Sequence, residues 1–452
     1  MSTESAITQA PLDLPALETK AARASVWTIF DYGFSMVLRI VNSLVLTRLL
    51  HPSAFGAVTL VTTLIVGISL LSDIGLGPSV IQSPRGDEPV FLNTAWTIQV
   101  ARAVSLWLVA LAISWPMSLF YHDPQLKFLL PVLAISTLIS GFNSTNLLTL
   151  SRHMGVRRLF VIDGSVAIVI LLSTIIWAYF WPTVWAIVGG QLVGAVYRLV
   201  ISHIRFITGG IANSFTWDKE CVTNIVHFGK WIMVGTAFFF FASQADRLIL
   251  GRLISLSLLG VYGIAYSLSD IPRAIILSLG SKVAYPFIAR IIHLPREEFR
   301  AKFLHYRFYA LIGGGFLLSI MTVWGHLIIL KAYDHRYKEA AWIIPILALG
   351  LWQTLLYQTT APVLFSLGKT KYNAIGNASY CVMMLSTIPL AFHFFGMFGA
   401  VVAIAAGDFP LYVVTQFGAT REGVRPLRQD LLTTLIFVTF LGVFFFLRRS
   451  FS

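Results

Sequence analysis

The sequence predicts an all-α, polytopic membrane protein, and three features carry that expectation. Of the 452 residues, 57% are hydrophobic and only 12% are charged, whereas soluble domains carry roughly 25% charged residues. The mean hydropathy is +0.78. The apolar residues gather into thirteen runs, each close to the ~20 residues that a membrane-crossing helix needs.

In chain order the runs lie near 26–47, 57–80, 93–115, 127–150, 161–181, 183–204, 229–251, 256–281, 307–330, 342–366, 372–394, 397–418 and 431–447. The last is short and ends at Arg448 and Arg449. The preceding stretch, "MSTESAITQAPLDLPALETK", is polar and lacks a basic region followed by a short apolar core. It is expected to be a cytoplasmic tail over 1–22, disordered or lying on the surface, rather than a signal peptide.

Loop charge orients the chain. With the N-terminus inside, the inner loops and tail hold twenty of the 33 basic residues and the outer loops eight. By the positive-inside rule this favours a cytoplasmic N-terminus. The same residues account for the net charge of +13. Because they are spread over many loops, they suit topology and contact with anionic lipid, not a nucleic-acid partner.

The chemistry of most enzyme classes is missing. Cys221 and Cys381 have no metal-ligand spacing and suggest no disulfide framework. The ten histidines form no HExxH, and "LGKTK" at 367–371 lacks the upstream glycine spacing of a phosphate-binding loop. No paired carboxylates or nucleophile triad stand out. A glycosyltransferase or polymerase acting on polyprenyl-linked sugars would display a large outer loop with catalytic residues, whereas the longest outer loop here is about 331–341. No enzyme, metal site or cofactor is expected.

The chain also repeats. "LVLTRLLHPSAFG" (44–56) and "LILGRLISLSLLG" (248–260) align at an offset of 204 residues. Leu44, Leu46, Arg48, Leu49 and Gly56 then find identical partners, Trp27 meets Trp231, Leu64 meets Leu268, and Asn42 lines up with Asp246. The match falls on runs 1 and 7, so the simplest reading is two six-helix halves, a recurring plan among transporters. The expected division is 1–22 tail, 23–204 first half, 205–228 cytoplasmic linker, 229–420 second half and 421–452 basic loop with an extra helix.

Charges inside the runs are the candidate functional residues, because an arginine at a helix centre costs roughly 2.5–3.5 kcal/mol on insertion scales. In run 1, Asp31, Ser35, Arg39 and Asn42 fall within about 80° of one another at 100° per residue. In run 8, Tyr262, Tyr266, Asp270 and Arg273 repeat those offsets. Thr62, Ser69 and Asp73 share a face of run 2. Asp246, Arg247 and Arg252 lie near the outer end of run 7, where interface anchoring or mutual pairing is the plainer reading. Arg102 and Arg198 are read as structural or snorkelling.

The pattern "RLLHPSAFGAVTLVTTLIVGISLLSDIGLGPSVIQ" (48–82) resembles the first hairpin of the polysaccharide transporter family. These are Wzx-type lipid-linked oligosaccharide flippases of the multidrug/oligosaccharidyl-lipid/polysaccharide exporter superfamily. "ADRLILGRLISLSLLGVYGIAYSLSDIPRA" (245–274) is similar to the matching seventh and eighth helices. The resemblance covers roughly 20–420 and implies two six-helix lobes in a V around a central cavity, with one or two further C-terminal helices. It implies a bacterial inner-membrane flippase for exopolysaccharide, capsule or O-antigen units, working by alternating access. The implied substrate is an undecaprenyl-pyrophosphate-linked oligosaccharide, with membrane lipids and polysaccharide polymerase or export machinery as further partners. Helices 1, 2, 7 and 8 would line the cavity. Arg39 and Arg273 would then face each other across the lobes and hold the diphosphate. Asn42, Tyr262 and Tyr266 would contact substrate, while Asp31, Asp73, Asp246, Asp270 and Arg247 would serve coupling or cavity charge. The rival within the superfamily is a cation- or proton-coupled drug antiporter, for which Asp31 is suitably placed.

Overall fold

A computed structural model describes residues 14–153, 155–279, 295–367, 369 and 371–451. Residues 1–13, the ends of run 8 and loop 282–306 within 280–294, and parts of "LGKTK" lie outside the described residues. So does the side chain of Asp31.

Among the described residues helix is the only regular secondary structure. The first half comprises α1 (Leu14–Leu49), α2 (Pro52–Leu71), α3 (Leu76–Gln82), α4 (Pro89–Phe120), α5 (Leu126–Gly141), α6 (Asn146–Arg152), α7 (Val156–Phe180) and α8 (Val184–His203). A short α9 (Arg205–Thr208) follows. The second half comprises α10 (Lys219–Leu253), α11 (Leu256–Leu279), α12 (Arg296–Ala332), α13 (Ala340–Ser366), α14 (Lys371–Ala405) and α15 (Phe409–Arg421), with α16 (Leu427–Phe451) at the end. Helix α1 starts at Leu14, inside the stretch expected to be a tail, and α10 starts at Lys219, inside the expected linker.

Eight helical stretches are long and apolar enough to cross a membrane, or nine when α5 and α6, bent by 65°, are taken as one span. Helices α1, α10 and α11 are long enough as well but carry the mid-helix charges. One stretch, 371–421, contains two of the expected runs. Gly396, at φ 60°, leaves the helical path, which glycine does without steric penalty. The chain then doubles back, so that Tyr372 lies beside Phe417 and Tyr380 beside Gly407. Each of the thirteen apolar runs therefore has a helix.

The halves are recognisable by packing. Within the first, α4 packs on α5, α7 on α8 and α1 on α7. Within the second, α12 packs on α13 and α16, and α14 on α15. Between them, α2 packs on α10 and α11. The repeat is visible at this crossing. A Cβ on Gly56 would stand 1.8 Å from the carbonyl oxygen of Leu256, and one on Gly260 would stand 2.0 Å from that of Pro52. Gly56 pairs with Gly260, and residue 52 with residue 256, at the 204-residue offset. The contact is thus made twice, once in each direction, about a pseudo-two-fold axis.

The connection between the halves is not a loose tether. Residues 209–218 run extended across the first half, held by polar side chains of α4 and of the α5–α6 break. Asn146 accepts from the Ile211 N–H and donates to its carbonyl. Asn213 engages Ser144 and Thr145, while Asn93, Thr97 and Thr94 accept from the N–H groups of Ser214, Thr216 and Asp218. These bonds satisfy the strap's backbone groups as a strand partner would.

Ion pairs anchor several helices. Arg198 pairs with Asp163 at 2.9 Å, linking α8 to α7. Arg307, expected in a cytoplasmic loop, lies instead within α12 and is 3% exposed. It pairs with Asp430 of α16 at 2.6 Å and also donates to Thr359, Gln429 and the Leu356 carbonyl. Four fixed acceptors offset the desolvation that a buried guanidinium incurs. They also fasten α16 to the second half. Removing one partner should be costly: Asp430→Ala is expected to lower stability by about 3–5 kcal/mol. The double variant Arg307→Met/Asp430→Leu should recover most of that, as measured by thermal unfolding of the purified protein in detergent.

Candidate functional site

Two cavities with charged groups in their walls flank α11. The first lies within the second half. Helix α10 supplies Ser243 and Asp246; α11 supplies Tyr266, Ser269, Asp270 and Arg273 from one face, as the spacing in the sequence implies. The far wall brings Thr354 of α13, Tyr380 of α14 and Asp408. Asp408 was not singled out by the sequence reading. It sits in the break between Ala405 and Phe409, a polar interruption of an apolar run, and the Thr354 hydroxyl donates to its carboxylate. Unwound backbone of this kind is tolerated at membrane depth where it lines a cavity.

Charges in this cavity are interlocked. The Tyr262 hydroxyl donates to Asp246 at 2.5 Å. Arg247 donates to Gln244 at 2.6 Å and lies 4.7 Å above the Tyr266 ring, a favourable cation–π position. Arg273 pairs with Asp270 at 2.8 Å. The lining carries three carboxylates and one guanidinium. Among the described residues, no group of three His, Cys, Asp or Glu side chains converges closely enough to hold a metal.

The second cavity lies between the halves. Its polar lining is Ser35, Arg39 and Ser43 of α1, Ser267 and Asp270 of α11, and Tyr333; apolar side chains of α1 and α11 make up the rest. Here α1 and α11 stand apart, while the seam formed by α2 and α10 is packed. Arg39 is solvent-exposed and makes no ion pair with any described residue.

The placement corrects several expectations. Arg39 and Arg273 do not face one another: they line different cavities, with Asp270 on the wall of both. Tyr262, expected on a substrate surface, is fully enclosed and holds Asp246 instead. Asp73 turns the chain after α2, accepting from the Gly75 N–H at 2.9 Å. Its charged neighbour is Arg102, which donates to the Ser69 and Ser72 carbonyls. Asn42 is half-buried, and its carbonyl oxygen has no hydrogen-bond partner.

A helical bundle of two pseudo-symmetric halves, with charged cavities inside and between them, defines a multi-pass membrane protein of the transporter type. The chain belongs to the polysaccharide biosynthesis protein family, whose model matches residues 45–304. It is similar to the lipopolysaccharide biosynthesis protein WzxC of Escherichia coli (strain K12), 20% identical over 336 residues, which are 74% of this chain and 67% of WzxC. Two solved structures share the fold. An inward-facing multidrug resistance MATE family transporter aligns with TM-score 0.70 at 13% identity, covering 87% of this chain and 96% of its own. The lipid II flippase MurJ in an inward closed conformation aligns with TM-score 0.66 at 11% identity, covering 94% and 100%.

The enclosed tyrosine offers a direct check. Tyr262→Phe leaves Asp246 buried without its donor and should lower stability by about 1–3 kcal/mol. Thermal unfolding of the purified variant reads this loss. Tyr266→Phe, whose hydroxyl makes no such bond, should unfold close to the parent.

Proposed function

We propose that this protein is a flippase that carries a lipid-linked, undecaprenyl-pyrophosphate-type oligosaccharide across the bacterial inner membrane for exopolysaccharide, capsule or O-antigen synthesis. The observation that carries the reading is the cavity between α1 and α11. It holds an exposed arginine without an ion-pair partner among the described residues, with serine and tyrosine hydroxyls among otherwise largely apolar walls, in a member of a polysaccharide biosynthesis family. A diphosphate takes paired, charge-assisted bonds from a guanidinium. Serine and tyrosine hydroxyls suit a glycan, and a seam between helices lets the polyprenyl tail stay in the lipid.

In this reading the moving bodies are the halves 23–204 and 229–420, exchanging access by rocking. Arg39 binds the diphosphate directly. Arg273, bound to Asp270, sets the charge of the inner cavity together with Asp246 and Asp408, which serve coupling. With the N-terminus cytoplasmic and the interior negative, two substrate charges moved outward gain roughly 4.6 kcal/mol per 100 mV, enough to bias export. Polymerase and export machinery would take the product.

The acidic inner cavity also suits a cation, which is what the drug-antiporter reading needs. The two readings part in reconstituted liposomes: the flippase reading requires movement of a fluorescent lipid-linked oligosaccharide and no uptake of an organic cation. Arg39→Ala should lose most of that movement, roughly tenfold or more, as expected for about 1.4 kcal/mol or more of lost phosphate binding. Arg39→Lys should keep part of it. Asp270→Asn and Asp408→Asn should reduce movement at matched membrane abundance. Normal movement by Arg39→Ala would remove this arginine from the site.

Orientation has its own check. A single cysteine at position 157, between the basic residues of loop 151–160, should resist an impermeant reagent added to intact cells, as should cysteines in 203–230 and 295–306. Efficient labelling at 157 would invert the topology.

A further inference from the structure

The end of the bundle away from the basic loops is closed by two sets of contacts that the internal repeat relates. On one side, the Tyr333 hydroxyl, just past α12, donates to Ser43 of α1 at 3.1 Å. Arg48, near the end of α1, donates to the Ala332 carbonyl at the end of α12 at 3.3 Å. On the other side, the Tyr121 hydroxyl, just past α4, donates to the Leu248 carbonyl of α10 at 3.4 Å. Arg252, near the end of α10, lies 5.6 Å over the Phe120 ring at the end of α4. Arg48 and Arg252 are identical partners in the repeat, and Ser43 stands next to Leu44, the partner of Leu248. In each half the third crossing ends in a tyrosine that reaches the first crossing of the other half. That first crossing ends in an arginine that reaches back.

We propose that these two tyrosine–arginine exchanges are latches that hold this end of the transport path shut, and that Tyr337, packed on the α1–α2 connection, is the bolt. The proposal rests on the reading that the halves rock. The second-half side is the stronger. Arg336 donates to the carbonyls of Thr47 and Arg48 at 3.2 and 3.1 Å, capping the end of α1, while Arg48 caps α12 in return. Terminal helix carbonyls lack intrahelical partners and carry the negative end of the helix dipole. Asp334 accepts from Arg336 at 2.8 Å, and these bonds hold its carboxyl below the usual range. Tyr337 is fully buried, edge-on to Phe55, with its hydroxyl on the Leu50 carbonyl.

The chemistry suits a reversible closure. Water can replace an arginine on an exposed carbonyl such as those of Arg48 and Ala332 at little loss, so these caps release readily. Nothing replaces the apolar contacts of Tyr337, so opening is opposed chiefly by exposing that ring. The caps set register, and the ring sets the resistance.

Thr47 serves as reporter. It is fully buried and lies four residues from Ser43 on the same face of α1. Its hydroxyl bonds within its own helix, to the Leu44 carbonyl. Thr47→Cys is placed in a background lacking Cys221 and Cys381, and the purified protein is exposed to a soluble maleimide. Slow labelling is expected, rising about tenfold in Arg48→Ala/Arg336→Ala, equivalent to ~1.4 kcal/mol. It should rise further in Tyr337→Ala and only partly in Arg48→Lys/Arg336→Lys. Thr174→Cys, buried within the first half, controls for general loosening. Unchanged labelling at Thr47→Cys in the double alanine variant would overturn the latch, and so would an equal rise at Thr174→Cys. No substrate enters this assay. A protein that labels as expected yet moves no lipid-linked oligosaccharide keeps its latch and loses the transport reading.

Discussion

The two halves touch backbone to backbone at Gly56 and Gly260, and the rest of the arrangement depends on that approach. No side chain fits between α2 and α11 at this point: a single methyl on either glycine would overlap a carbonyl oxygen of the other helix. The crossing lies at the starts of both helices, so it pins the halves together at one end. Away from it, α2 stays packed along α10, held by contacts such as the Thr236 hydroxyl on the Leu70 carbonyl. The α1–α11 seam has no comparable packing, and there a cavity remains. One close contact therefore joins the halves at the starts of α2 and α11 and leaves the α1–α11 seam free.

Charge inside an apolar bundle is the second constraint, and the protein meets it in three ways. Arg307 and Arg198 are paired with aspartates, the first almost wholly buried. Arg102, Arg48 and Arg336 sit on the carbonyls at helix ends, where the chain would otherwise leave acceptors unmet. Arg39 alone among these is left with neither a carboxylate nor a carbonyl among the described residues, and it stands in the cavity between the halves. Its nearest described carboxylate, Asp270, shares the cavity without forming an ion pair with it.

Much of the architecture was legible in the sequence, because lipid imposes a simple rule on span length and hydrophobicity. The thirteen runs, the repeat at offset 204 and the shared face of Tyr266, Asp270 and Arg273 all follow from local spacing. What could not be read depends on contacts between distant helices. Arg307 looked like a loop residue because it starts an apolar run, and only the packing of α16 gives it Asp430. Asp408 lies inside run 12 without a helical partner of its own to mark it, and only the neighbouring α13 shows that it faces a cavity. Periodicity put Arg39 and Arg273 on polar faces, and the family resemblance turned those faces inward, yet a helix face spans enough arc to border two cavities. The sequence could not say that α11 separates them. Arg48 and Arg252 were visible as repeat partners, but their reach across to α12 and α4 was not.

Asp270 is where the two cavities meet. It borders the gap beside Arg39 and the inner cavity beside Arg273. Arg273 sits three residues along the same helix and travels with it; Arg39 belongs to the other half. If the halves rock about the Gly56–Gly260 crossing, the Asp270–Arg273 pair is carried intact while the distance from Asp270 to Arg39 changes. Charge interactions across a few ångströms of partly dry protein are worth several-fold more than in water. The position of one half is thereby written into the electrostatic environment of a carboxylate in the other. An anion bound at Arg39 acts on the same carboxylate, screening the arginine from it. If Arg39 holds the substrate as proposed, occupancy and half-to-half geometry converge on this single side chain.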